Sequence, residues 1–180
     1  MKALAIACVS IGVAAGVLPC QLDALEQQVD DLPASVEIRP VFRFSLDNPN
    51  IAFGSLSSGS TSVLGSGHFF NEVRCRSNAG RSWYLKAQLL SLKHLDTNEP
   101  LAPSHLQWKI VESTGAGEPT GGRQAFHPFA EEPVLLYASQ GDDQRGNEVV
   151  LRFQYSLTTP PEARAGNYVG QIIFTMAESP

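Results

Sequence analysis

The sequence predicts an all-β fold: one antiparallel β-sandwich, Ig-like or jelly-roll-like, of about eight or nine strands over residues 35–180. Three observations predict it. Apolar residues recur at every second position in several separate runs, the period of a strand with one buried face. Clusters of Gly, Pro, Asn, Asp and Ser part those runs, as turns require. No stretch of useful length carries the period of an amphipathic helix.

The first run places Val36, Ile38, Phe42, Phe44 and Leu46 on even positions, with Glu37, Arg39, Arg43 and Ser45 between or beside them. That pattern predicts a half-buried strand over 36–46, closed by the turn Asp47-Asn48-Pro49-Asn50. Ile51–Leu56 leads into Ser57–Ser62, a Ser/Gly-rich loop between strands. Strands are expected at His68–Arg76 and Ser82–Leu92, with Asn78-Ala79-Gly80 as a hairpin between them. Lys93–Pro103 is polar, and Leu106–Val111 alternates again. Gly115–Gly122 reads as a long exposed loop. Pro133–Ala138 is a short apolar run, Gly141–Gly146 a polar turn, and Asn147–Leu157 a strand with Val149, Leu151, Phe153, Tyr155 and Leu157 on one face. Pro160–Gly166 breaks the chain before a last strand within Ala165–Met176, whose Ile172, Phe174 and Met176 are expected in the core. No internal repeat is visible, so one domain is expected.

The region ahead of the sandwich has a different character. Met1-Lys2 followed by the apolar run Ala3–Leu18 has the form of a secretory signal peptide and is short for a membrane span. Small residues permit cleavage after Ala15, Gly16 or Ala24, so residues 1–24 are assigned to the signal and cleavage region. Residues 25–34 form a flexible lead-in. The mature chain is therefore expected outside the cell, at the surface or in a periplasm, with no membrane span. Pro19 directly before Cys20 argues against lipid attachment there. Cys75 sits in an alternating stretch and reads as a small buried hydrophobe; it pairs with Cys20 only if cleavage falls earlier.

A net charge of -5 with scattered cations argues against nucleic acid as a partner. Constellations for chemistry are equally thin. Gly65-Ser66-Gly67 is too short for a nucleophile elbow. His68, His94, His105 and His127 show no metal-ligand spacing. Asp142–Glu148 supplies carboxylates but lacks the calcium-loop arrangement and carries Arg145 in its middle, so it reads as a solvated turn. Glu72 is the best single acid–base candidate, and one carboxylate makes no glycosidase pair. The chain is accordingly read as non-enzymatic, with no cofactor and no metal.

Three short motifs carry a family resemblance: Ile51-x-Phe53-Gly54, Trp83-x-Leu85 after a Gly-bearing turn, and the closing Ala165-Gly166-x-Tyr168. Over about residues 50–177 the chain resembles the WxL-type surface domains of bacteria, and more loosely fimbrial or biofilm-fibre subunits. The resemblance implies an exported sandwich that associates with the cell wall or builds surface structures. The chain departs from that pattern at Phe174-Thr175-Met176, where a second Trp-x-Leu would stand.

The expected function is a secreted, non-enzymatic structural or adhesion protein, either a wall-associated module or a fibre subunit. Its partners would be other surface proteins, copies of itself, or cell-wall polysaccharide. Val36, Ile38, Phe42 and Phe44 are the residues expected to complete a neighbour's sheet by strand exchange. The alternative is a carbohydrate- or peptide-binding module using Trp83, Tyr84, Leu85 and Trp108. The same Trp83 and Trp108 have a plainer reading as core anchors.

Overall fold

The computed structural model describes residues 35–121 and 125–179. The compact body runs from Ile38 onward, and of the chain before it only residues 35–37 are described, without regular secondary structure. The expected export segment, the lead-in at 25–34 and Cys20 lie outside the described residues.

Eleven strands follow in order: β1 (Phe42–Leu46), β2 (Thr61–Leu64), β3 (Asn71–Ser77), β4 (Tyr84–His94), β5 (Pro100–Leu101), β6 (Leu106–Ser113), β7 (Glu118–Pro119), β8 (His127–Pro128), β9 (Val134–Ala138), β10 (Glu148–Thr158) and β11 (Tyr168–Ala177). Three of them are two-residue pairings, so eight longer strands carry the fold. Among the described residues the helical structure is confined to two short 3-10 turns, Pro103–His105 and Gly141–Arg145.

The strands form two antiparallel sheets. One runs β1-β3-β10-β6-β8, with β2 also on β10. The other runs β11-β4-β9-β7, with β5 also on β4. The all-β sandwich read from the alternation is the observed architecture.

β2 and β3 meet one flank of β10 in succession, at residues 155–158 and 148–153 respectively. The chain between them, Gly65–Phe70, bulges out and is stapled back. Gln154 Nε2 donates to the carbonyls of Gly65 (2.7 Å) and His68 (2.6 Å), and Phe70 N–H donates to Phe153 O (2.7 Å). That cover explains why Gln154 and Ser156, on the outer face of β10, are buried with their inward neighbours.

The core lies between the sheets. Trp83, Leu85, Ala87 and Leu89 alternate inward along the first half of β4 and the residue before it. Val149, Leu151, Phe153 and Tyr155 do the same on β10, and Leu106, Trp108 and Ile110 on β6. Each large side chain taken from water contributes roughly 1.5–3 kcal/mol, which is why period two so strongly dictates register.

The structure alters several sequence expectations. The strand expected over 36–46 begins only at Phe42, because Pro40 has no N–H for a ladder, and Val41 N–H is taken by the Asn78 side chain. Asn78-Ala79-Gly80 is no hairpin: β3 and β4 lie in different sheets, so this turn carries the chain across the sandwich. The Gly141–Gly146 turn contains a 3-10 helix with buried Asp143 rather than a wholly solvated loop. Ile172, Phe174 and Met176 pack on the core but are only half-buried, because β11 is an edge strand.

Candidate functional site

The Trp83-x-Leu85 motif lies inside the molecule. Trp83 and Leu85 are fully buried, and Trp108 retains 2% exposure; only Tyr84 on the opposite face of β4 is partly accessible. Trp83 is fixed at both ends: Ser139 Oγ accepts from its backbone N–H at 2.7 Å, and the Asp143 carbonyl accepts from its indole N–H at 3.1 Å. Its ring lies 5.6 Å from that of Tyr137. Side chains so enclosed give no surface to a glycan or peptide. Trp83, Leu85 and Trp108 are core anchors, the plainer of the two readings, and of the four residues expected to bind only Tyr84 keeps accessible surface.

Beneath Trp83 lies a polar node that the sequence did not reveal. The Asp143 carboxylate accepts from Ala116 N–H (2.8 Å), Gly117 N–H (2.9 Å), Gln140 N–H (3.1 Å) and Tyr137 O–H (2.7 Å). Burial, followed by the hydrogen bond to Asp143, pushes the Tyr137 phenol well above its ordinary pKa. A Cβ on Gly115 would lie 2.0 Å from the Tyr137 hydroxyl, and one on Gly117 would lie 2.0 Å from the Ala138 carbonyl. Four donors saturate the carboxylate, so the node acts as an internal clasp between the β6–β7 loop, β9 and the 3-10 turn. The pair Gly115-x-Gly117 is the one sequence signal of this approach.

The residues weighed for chemistry are dispersed. Glu72 on β3 sits in a ladder of ions on the outer sheet face: Arg152 donates to it at 3.0 Å and Arg74 at 3.3 Å. Arg152 also reaches Glu112 at 2.6 Å, and Arg74 reaches Glu148 at 3.0 Å. Glu112 first, then Glu72, raise the Arg152 guanidinium pKa further. His127 on β8 stacks 5.2 Å from Trp108, with β10 and β6 between its strand and that of Glu72. His94 is buried and locked: Asp96 and Thr97 N–H groups donate to Nδ1 at 3.2 and 3.3 Å, so Nε2 carries the proton donated to Ala165 O at 3.1 Å. Among the described residues no group of three or more His, Cys, Asp or Glu is placed to hold a metal ion. Cys75 is a free, fully buried thiol, and burial pushes its pKa up to about 12.

The remaining candidate is the side of the sandwich where β1 and β11 face each other. Both are terminal strands of their sheets, and Phe44 stacks on Phe174 across the gap at 6.3 Å. The gap is incompletely filled: Phe42 and Phe44 expose 45% and 40%. Among the described residues no strand pairs with the outer edge of β11, ten residues long (YVGQIIFTMA) and without a charge or a proline. The opposite side of the sandwich ends instead in the two-residue strands β7 and β8. Short or charged edges are the usual guard against strand addition, and β11 has neither.

Of the four strand-exchange residues, Phe42 and Phe44 are already engaged within the chain, since β1 pairs with β3 through Phe42↔Ser77 and Phe44↔Cys75. Val36 and Ile38 pair with no strand and expose 84% and 77%.

Compared with known proteins, the chain matches no family model, no curated protein and no solved structure.

Proposed function

We propose that this chain is an exported, non-catalytic structural or adhesion protein of the cell surface that assembles with copies of itself by strand addition. The observation that carries the reading is the long uncharged free edge of β11 beside the half-exposed Phe42 and Phe44. Unpaired N–H and C=O groups along such an edge are a template for another strand. The donor is the segment Ser35–Arg39 of a neighbouring copy. Its Val36 and Ile38 share one face and would enter the gap between the sheets, while Ser35, Glu37 and Arg39 would face water. Export rests on the apolar run behind Met1-Lys2. The WxL-like motifs fit this role as sandwich-building residues more than as wall contacts.

Light scattering on size-exclusion fractions tests the reading, using the chain from residue 25 onward. Concentration-dependent association is expected, with about a tenfold or greater loss of self-affinity in the double variant Val36→Asp/Ile38→Asp and in Thr175→Lys. Far-UV circular dichroism should be unchanged in both. A parent chain that stays monomeric at high micromolar concentration would falsify strand addition.

A further inference from the structure

A cleft of about 650 Å³ opens at one end of the sandwich, its floor closed by the core residues Leu89 and Leu106. Its walls combine Leu89 and Leu92 of β4, Leu106 of β6, Leu157 of β10, Ile172 of β11 and the Ile51–Leu56 loop. Interiors of proteins are close-packed, and pockets of roughly 300–1,000 Å³ are those that hold whole small molecules. The wall chemistry restricts the occupant to something largely apolar.

The rim restricts it further. Among the described residues Arg164 is the one charged residue that lines the cleft. It is exposed, and none of the ion pairs among the described residues includes it. The backbone that carries it is pinned on both sides. Tyr168 O–H donates to Arg164 O at 3.0 Å, the locked His94 donates to Ala165 O at 3.1 Å, and Ser58 O–H donates to Ala163 O at 3.4 Å. A Cβ on Gly166 would lie 2.1 Å from His94 Nε2, so the loop lies directly on that ring. A cation carried by a pinned backbone at the mouth of an apolar cleft complements an anionic head on a hydrocarbon tail.

We propose that this cleft binds a single-chain amphiphile of the long-chain carboxylate class, its tail among Leu92, Leu157 and Ile172 and its carboxylate on Arg164. The site shares the first residues of β11 but needs neither a second copy nor strand addition, so the two readings stand or fall separately.

The test uses the full chain and the fluorescent polyene fatty acid cis-parinaric acid, displaced in turn by palmitate and by hexadecanol. Saturable binding is expected, with palmitate displacing at about tenfold lower concentration than the alcohol. Arg164→Gln should weaken palmitate about tenfold and leave hexadecanol unchanged. Leu157→Trp, or Ala163→Trp if the first fails to fold, should abolish both. Absence of saturable binding overturns the proposal. So does equal displacement by acid and alcohol, or parinarate binding that survives a folded filling variant. Arg164 is exposed, so its variant keeps the fold and the acid–alcohol split decides the matter even if neither tryptophan variant folds.

Discussion

At Asp143 four donors converge on one carboxylate that retains 2% exposure, and two of them, the Ala116 and Gly117 N–H groups, come from 27 and 26 residues away. Removing the acceptor strands the buried Gly117 N–H and Tyr137 O–H, while the exposed Ala116 and Gln140 can turn to water, and an unsatisfied buried donor costs roughly 1–3 kcal/mol. Asp143→Ala is therefore expected to lower unfolding free energy by about 3 kcal/mol in urea denaturation, whereas Tyr137→Phe, which leaves three donors bound, should cost about 1 kcal/mol. The two losses should fall short of additive in the double variant, because both remove the same hydrogen bond. A double variant whose loss equals the sum would show that Tyr137 and Asp143 do not act together. Nothing local marks Asp143 among Asp142-Asp143-Gln144-Arg145, since all four residues are polar. Which of them turns inward is decided by Tyr137 and the Gly115-x-Gly117 backbone arriving from elsewhere.

Elements with one buried face were legible, because burial of alternate side chains is a local pattern with a large free-energy consequence. β4, β6 and β10 overlap the alternating runs that announce them, each ending one or two residues past the expected end. Elements defined only by their partners were not legible. β5, β7 and β8 are two residues each and exist because a neighbouring strand supplies the ladder. β2 hides behind a Ser/Gly-rich loop for the same reason. The bulge between β2 and β3 permits a direct test of backbone strain. Gly65 has φ +80°, and a Cβ there would lie 2.6 Å from Phe70 N; Gly67 has φ +82° with open space around it. Gly67→Ala should cost about 1 kcal/mol from the left-handed conformation alone, and Gly65→Ala about 2–3 kcal/mol because the clash adds to it. Equal thermal shifts for the two variants would remove the contact with Phe70 as the cause.

For the molecule as a whole, the core carries groups that must stay protonated. Burial holds the Cys75 thiol up at about 12 and raises the Tyr155 phenol. In the unfolded chain a thiol ionises near about pH 8.5. The folded state thus binds a proton more tightly than the unfolded one, and the stabilisation is complete below that value and lost as pH rises toward 12. Each such group removes about 1.4 kcal/mol per pH unit within its window. Between pH 8 and 10 the parent chain should lose about 2 kcal/mol more than Cys75→Ala, read from urea midpoints. Matching losses would place Cys75 in contact with water. The tyrosines join above pH 10, steepening the fall in both proteins.

Fold class followed from periodicity because every second residue must face either water or the opposite sheet, and that rule acts on neighbours along the chain. The pairing of sheets did not follow. The same Asn-Ala-Gly turn serves a hairpin or a crossover, and only the partners of β3 and β4 separate them. Trp83 and Trp108 were visible as large aromatics, yet their burial depends on the second sheet closing over them. The open side along β11 and the cleft beside Arg164 are likewise properties of edges and ends, where residues far apart in sequence meet or fail to meet. Local alternation therefore set the strands and the identity of the core, and three-dimensional closure set which surfaces were left open.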